Sequence, residues 1–246
     1  MRKETKEKIK EEIFKFAKEN LPQEYSLEEL KKAFPFHSVF FTDEGLRAFK
    51  VQRTLVTKMG MKLYPKIALL IAREKYTRVF LNYKIEGEAD RGMIEKANTI
   101  IKDLREGKRK PNMKKEWEEI IFSASNDKIN VKIVADFFAE DSQGRQLFME
   151  IKSPLPNLDV CAESKRKMLF FKIIKRNPNV ETYLAFPYNP FVPREKYSHR
   201  FTFQIMDIEH EVLIGEEMWN KIGGEGTFEE LLKILDEVKK ELKKYL

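Results

Sequence analysis

The fold is decided by residues 129–152, which read INVKIVADFFAEDSQGRQLFMEIK. Residues 129–139 and 146–152 are strand-like, because apolar side chains recur at every second position. They are Val131, Ile133, Ala135 and Phe137 on the first strand and Leu147, Met149 and Ile151 on the second. The intervening Asp141-Ser142-Gln143-Gly144 is a turn sequence, in which Gly144 supplies the left-handed residue that ends a three-residue loop. The stretch therefore predicts a β-hairpin.

The turn also predicts the register of this hairpin. If Asp141 faces Arg145, then counting back along both strands places Asp136 opposite Glu150, with Cβ atoms about 4.5–5.5 Å apart. Lys152 lies two residues beyond Glu150 and therefore projects from the same face. Two carboxylates and an ammonium group are thus expected to meet at one end of the hairpin.

Directly opposed carboxylates repel each other, so the pair needs a compensating cation. Oxygen ligands of this kind suit Mg²⁺, and the main-chain carbonyl of Ile151 would be an additional ligand. A bound divalent ion polarises a phosphoryl oxygen and activates water, while Lys152 would orient or deprotonate that water and offset charge on phosphorus. These are the parts required to hydrolyse a phosphodiester bond.

The alternative is an ordinary solvated strand face, because Glu-x-Lys is common in antiparallel sheets. Three details favour the functional interpretation. Asp136 lies in an apolar setting, between Ala135 and Phe137, which is a poor place for an idle carboxylate. The register aligns the two acids without adjustment, and Ser153-Pro154 ends the strand directly after Lys152, where a nucleic acid backbone can approach.

Asp136 followed by Glu150-Ile151-Lys152 resembles the motif of the PD-(D/E)XK nuclease superfamily, with Ala135 in the place of the proline. Further segments are similar to type II restriction endonucleases of the TdeIII group. They are Glu150-Ile151-Lys152-Ser153-Pro154-Leu155-Pro156-Asn157, Ala162-Glu163-Ser164-Lys165-Arg166, Pro187-Tyr188-Asn189-Pro190 and Met218-Trp219-Asn220-Lys221-Ile222-Gly223-Gly224. The resemblance covers roughly residues 125–235.

This resemblance implies a restriction-endonuclease-like α/β/α core with a mixed central sheet. It also implies a homodimer that uses Mg²⁺ to cut both strands of a short palindrome of the GGNCC kind in double-stranded DNA. Asp136 and Glu150 would bind the metal, and Lys152 would assist the attacking water. Two alternatives stay open: a repair or junction-resolving nuclease of the same fold, and a DNA-binding protein without catalysis.

Other polar residues are secondary candidates. Glu163 is either a further acidic residue of the site or the helical partner of Arg166. Lys165 and Arg166, with the neighbouring Lys167, either contact DNA phosphates or form a solvated basic turn. Ser153 and Asn157 are placed to approach DNA or merely to shape the loop. A segment rich in aromatic residues carries the predicted base-reading side chains Arg194, Lys196 and Arg200.

Along the chain, residues 1–110 are predicted to form a helical region packed on a nuclease core at 111–246, within one α/β fold. Short strands are expected over Thr77–Tyr83, Val180–Pro187 and Arg200–Met206. Glu86, Glu88 and Asp90 are expected on an upstream helix, as a surface cluster or as another source of a metal-binding carboxylate.

Composition adds only broad constraints. The net charge of +7 and pI near 9.2 favour a polyanionic partner, and abundant Lys and Glu are typical of proteins from hot environments. A lone cysteine, Cys161, excludes internal disulfides. No signal-like or membrane-spanning apolar run is found, which leads us to expect a cytoplasmic protein.

Overall fold

The computed structural model describes residues 1–21, 25–176 and 180–243. Its helices are α1 (Lys3–Asn20), α2 (Leu27–Ala33), α3 (His37–Phe40), α4 (Asp43–Lys58), α5 (Tyr64–Ala72), α6 (Arg91–Arg105), α7 (Met113–Phe122), α8 (Leu158–Lys175), α9 (Arg200–Ile205), α10 (Ile208–Glu211), α11 (Glu216–Gly223) and α12 (Thr227–Leu242). A π-helical turn, Met59–Leu63, joins α4 to α5, and Arg194–Lys196 forms a single 3₁₀ turn.

The strands are β1 (Arg78–Asp90), β2 (Lys128–Glu140), β3 (Gln146–Ile151), β4 (Val180–Phe186) and β5 (Val212–Ile214). Within the described residues they form one sheet in the order β1-β2-β3-β4-β5. β1, β2 and β3 pair antiparallel, whereas β3–β4 and β4–β5 are parallel. The expected α/β fold with a mixed central sheet, similar to that of restriction endonucleases, and with a helical N-terminal part, is therefore confirmed.

The described chain divides into two compact units. One comprises Met1 and Ala68–Leu231 and contains the sheet; the other comprises Arg2–Ile67 and the chain from Leu232 onward. In the second unit, α1 buries Ile9 and Ile13. The sequence-based boundary near residue 110 falls inside the first unit, because β1 and α6 belong to the sheet-containing unit. Residues 244–246 of the predicted core lie outside the described residues.

Helix α8 covers one face of the sheet and contacts β1, β2, β3 and β4. It begins where Asn157 accepts a hydrogen bond from the main-chain N–H of Val160, as an N-cap residue does. Phe138 and Phe148 are opposed on β2 and β3, are completely buried, and belong to the core beneath α8. This pair of core residues lies two positions from Asp136 on β2 and two positions from Glu150 on β3.

The turn between β2 and β3 has the predicted form. Gly144 has a φ of +74°, a value that glycine adopts without strain. Asp141 donates its main-chain N–H to the carbonyl of Arg145, and its side chain accepts from the N–H groups of Gln143 and Arg145. These contacts fix the register of the hairpin.

The elements expected from the sequence differ from the structure at three places. The strand expected over Thr77–Tyr83 extends to Asp90, so Glu86 and Glu88 lie on β1 rather than on a helix. The strand expected over Arg200–Met206 is helix α9. A short apolar run fits either element by periodicity alone, and contacts with α6 and α8 decide for the helix. Strand β5 was not predicted.

None of the helices in the described ranges, 1–21, 25–176 and 180–243, has the length and apolar character required to cross a bilayer.

Candidate active site

Asp136 and Glu150 occupy adjacent positions on neighbouring strands. The β2–β3 ladder runs from Glu140↔Gln146 to Phe137↔Met149, and the next opposed positions in that register are 136 and 150. The register predicted from the turn is therefore confirmed. It follows from two local features, the Asp141 turn and the alternating apolar pattern.

The three predicted side chains converge. The Nζ atom of Lys152 lies 2.6 Å from Oδ2 of Asp136 and 3.2 Å from Oε2 of Glu150. The main-chain N–H of Ile151 also donates to Oδ2 of Asp136, at 3.0 Å. The main-chain N–H of Lys152 donates to the carbonyl of Ala185 on β4, at 3.0 Å. The strand end is thus anchored on both sides while the ammonium group bridges the two carboxylates.

A second lysine reaches the same carboxylate from helix α8. The Nζ atom of Lys167 lies 3.0 Å from Oε1 and 2.9 Å from Oε2 of Glu150. The sequence-based alternatives for Lys167, a phosphate contact or a solvated basic turn, did not include this pairing. Spacing along the chain contains no signal for it, because the contact depends on how α8 is rotated against the sheet.

Burial sets the electrostatics of the site. The side chain of Glu150 is only 1% exposed, whereas those of Asp136 and Lys152 are 26% and 28% exposed. Burial and the neighbouring Asp136 raise the pKa of Glu150, against the opposing effect of Lys152 and Lys167. Burial lowers the pKa of Lys152, but the Glu150 and Asp136 carboxylates outweigh it, so its pKa is raised overall. Lys152 is therefore an ammonium ion at neutral pH.

Glu163 pairs with Arg166 as the helical spacing predicted. Both carboxylate oxygens accept from the guanidinium group, at 2.7 and 2.5 Å, and Arg166 also lies over the ring of Phe170. The hydrogen bond from Arg166 lowers the pKa of Glu163, and the charges of Lys167 and Lys152 lower it further. Glu163 thus lies within electrostatic range of the site, while its hydrogen bonds go to its own helix.

Lys165 is buried, which contradicts both sequence-based alternatives, a phosphate contact and a solvated basic turn. Its side chain is completely buried, and its Nζ atom lies 2.5 Å from carboxylate oxygens of both Glu116 and Glu211. The physical reason is the orientation of α8, which packs this position between α7 and α10 instead of presenting it to solvent. Lys165, Glu116 and Glu211 form a buried charged cluster.

The remaining predicted DNA contacts divide into two groups. Arg194 is engaged inside the protein, because its guanidinium group donates to both oxygens of Glu217 and to the carbonyl of Ile208. In this arrangement the guanidinium group of Arg194 is engaged by Glu217 and Ile208, which does not fit the predicted base-reading role. Ser153, Lys196 and Arg200 are exposed. Asn157 is exposed too, but its side chain caps α8.

The upstream acids have partners of their own. Glu86 pairs with Lys84 and Glu88 with Lys128, and all four side chains are exposed. Asp90 is buried and caps α6 by accepting from the main-chain N–H of Met93. These contacts account for each acid structurally.

Comparison with known proteins gives a consistent result. Residues 1–239 match the family described as "Type II restriction endonuclease, HinfI". The chain is 30% identical over 210 residues to the type II restriction enzyme HgiEI of Herpetosiphon aurantiacus, covering 83% of this chain and 76% of the relative. It is 30% identical over 203 residues to the type II restriction enzyme MjaII of Methanocaldococcus jannaschii, covering 76% of this chain and 53% of that relative.

HgiBI of Herpetosiphon aurantiacus, also named a type II restriction enzyme, is 29% identical over 210 residues. These matches extend well beyond the hairpin and reach most of the chain. They agree with the fold and with the basic, DNA-directed character of the sequence. The chain belongs to the HinfI family of type II restriction endonucleases, which are site-specific deoxyribonucleases.

Proposed function

We propose that this restriction endonuclease hydrolyses phosphodiester bonds with Asp136, Glu150 and Lys152, in the manner of the PD-(D/E)XK superfamily, and that it requires Mg²⁺. The observation that carries the proposal is the position of the Lys152 ammonium, 2.6 Å from Asp136 and 3.2 Å from Glu150. Two acids and a lysine converge at the open end of a strand, directly before the exposed Ser153.

The donor set fits a divalent cation. The ammonium group of Lys152 already lies between the two carboxylates, so this position favours a positive charge. Among residues 1–21, 25–176 and 180–243, no group of three or more His, Cys, Asp or Glu side chains is arranged to hold a metal ion. The Asp136 and Glu150 carboxylates would therefore be supplemented by the Ile151 carbonyl, by water and by the DNA phosphate. Such an all-oxygen set suits Mg²⁺.

The chain's own residues have distinct tasks in this mechanism. Mg²⁺ bound at the carboxylates would polarise a phosphoryl oxygen and acidify a water molecule. Without the metal, the acids raise the pKa of Lys152, so its ammonium group is a hydrogen-bond donor. Lys152 would orient the attacking water and offset negative charge on the phosphoryl oxygens by hydrogen bonding. The N–H of Ile151 holds Asp136 in position.

The target and the assembly are also proposals. Family membership implies double-stranded DNA as the substrate, and two-fold protein symmetry is the simplest way to cut both strands of a palindrome. We infer a homodimer acting on a short palindromic site, met in the cytoplasm. The closer similarity to the TdeIII group, and the GGNCC type of site that it implies, stay predictions, as do phosphate or base contacts from Ser153, Lys196 and Arg200.

The test is digestion of phage DNA by the full chain with Mg²⁺, followed by sequencing of the fragment ends. We expect discrete fragments whose ends share one short palindrome, and no cleavage when EDTA is present. Glu150→Ala is the matched inactive variant. Full cleavage by that variant would contradict the proposed active site, and cleavage in EDTA would contradict the metal requirement.

A further inference from the structure

Lys167 makes a contact that the proposed mechanism does not use. Its ammonium group donates to both oxygens of Glu150, at 3.0 and 2.9 Å. It therefore lies where a cation bound by both carboxylate oxygens would lie. Lys152 reaches only Oε2 of the same residue, at 3.2 Å. Lys167 thus takes up hydrogen-bonding capacity that a metal ligand needs.

The charges of the four side chains balance. Asp136 and Glu150 contribute two negative charges, and Lys152 and Lys167 contribute two positive charges. A divalent ion added to this set would leave it with a net charge of +2, in a site where Glu150 is only 1% exposed. If Lys167 moved away, the net charge would fall to +1, which a single DNA phosphate offsets. Electrostatics therefore favours exchange of Lys167 for the metal over simple addition.

Lys167 is also able to leave. Its side chain is 18% exposed, while that of Glu150 is almost fully buried, so the lysine reaches solvent although the carboxylate does not. Lysine has a flexible four-carbon stem and binds phosphate as a point charge. Lys152 and Lys167 both contact Glu150, and Ser153, directly after Lys152, is exposed, so DNA bound at this strand end would come close to Lys167.

We propose that Lys167 is a positioning residue that the divalent ion displaces from Glu150, and that its freed ammonium group then binds a phosphate of the DNA backbone. The proposal rests on the proposed function, since it requires Glu150 to be a metal ligand. Lys167 would thus couple metal binding to DNA binding, because the metal binds Glu150 and the DNA phosphate binds the Lys167 that the metal has displaced.

The first measurement is calorimetric titration of Mg²⁺, and separately of Ca²⁺, into the full chain at pH 8.5 without DNA. In Lys167→Met the competing ammonium is gone, so we expect metal binding about tenfold tighter, the equivalent of one hydrogen bond to a charged group. Lys175→Met is the matched control, since it removes one positive charge from the same helix. Its metal affinity should equal that of the wild type.

The second measurement is the salt dependence of DNA binding with Ca²⁺, where no cleavage product is needed. Loss of one phosphate contact should reduce the slope of log K against log salt by about one for Lys167→Met. Without a divalent ion, Lys167→Met and the wild type should have the same slope, because Lys167 is then engaged by Glu150. Lys167→Gln should repeat both results and guards against a folding defect specific to Met.

The outcomes separate this proposal from the proposed function. Wild-type metal binding that survives Glu150→Ala would overturn the metal site itself. If Glu150→Ala abolishes binding while Lys167→Met leaves metal affinity unchanged or weakens it, the site stands and the exchange is overturned. An unchanged salt slope in Ca²⁺ overturns the phosphate contact.

Discussion

The Nζ atom of Lys152 lies 2.6 Å from Oδ2 of Asp136, although the two residues are 16 positions apart in the chain and on neighbouring strands. This contact joins the C-terminal end of β3 to the middle of β2. It forms only because the Asp141 turn fixes the register of the hairpin.

Lys152→Met should reduce the rate of DNA cleavage by about 10²–10⁴-fold, the range typical for loss of a group that acts on protons or charge in the transition state. Binding of DNA in Ca²⁺ should change little, since a single charge is lost. Single-turnover cleavage and a binding assay on the same DNA measure the two effects. Lys132→Met, on the exposed part of β2, is the control and should cut normally; wild-type cleavage by Lys152→Met would contradict the assignment.

Glu150→Gln should abolish cleavage and yet stabilise the folded protein at neutral pH. The folded-state pKa of Glu150 is raised above its ordinary value of 4.5 by burial and by Asp136. The stability contributed by such a group is fully present below pH 4.5 and is lost as the pH rises through the folded-state pKa. At pH 7.5 the neutral amide avoids this loss, so the Tm of Glu150→Gln should lie above that of the wild type.

Thermal unfolding of Glu150→Gln and wild type between pH 4.5 and 8 checks this prediction. The difference in Tm should shrink as the pH falls toward 4.5, because the wild-type carboxyl takes up a proton as the pH passes below its raised pKa. Glu86→Gln, an exposed substitution on β1, should change Tm little at any pH. If Glu150→Gln is less stable than the wild type at every pH in this range, the ion pairs of Glu150 with Lys152 and Lys167 contribute more to stability than the burial of its charge costs.

Lys165→Met should destabilise the fold by about 3–5 kcal/mol, because it leaves the buried carboxylates of Glu116 and Glu211 without their cation. Urea unfolding measures the loss. Adding Glu211→Gln to this variant should restore part of the stability, since one of the two unpaired charges is removed. Lys175→Met on the same helix serves as the control. A Lys165→Met protein of normal stability but weak DNA binding would restore the sequence-based expectation of a phosphate contact.

Asp90→Ala should lower Tm without abolishing cleavage. The Asp90 carboxylate accepts from the main-chain N–H groups of Met93, Ser125 and Asn126, and these bonds, foremost that from Ser125, hold its pKa below the ordinary 3.8. A lowered pKa contributes stability above pH 3.8 that is lost as the pH falls through the folded-state pKa.

The Tm difference between Asp90→Ala and wild type should therefore be constant from pH 5 to 8 and diminish only in strong acid. Asp90→Asn, which keeps one acceptor oxygen, should lie between the two. A loss of metal binding in Asp90→Ala at a temperature where the variant is folded would contradict the purely structural role.

The sequence by itself determined the hairpin and the three residues at its end. Gly144 and Asp141 specify the turn, the alternation of apolar residues specifies the faces, and together they place Asp136 against Glu150 with Lys152 alongside. These features can be predicted from the sequence because a tight turn allows only one register between the two strands that it joins. The type of fold followed in the same way, from the interleaving of strands and helices.

The tertiary structure alone decided which side of α8 is buried. A helix with apolar residues on most sides, as α8 has, does not reveal its orientation, and so Lys165 was expected at the surface and Lys167 was not recognised at Glu150. Likewise α9 replaced an expected strand because contacts with α6 and α8 overrode a six-residue pattern. Local sequence encodes local geometry, whereas the rotation of one element against another is set by how all of them pack at once.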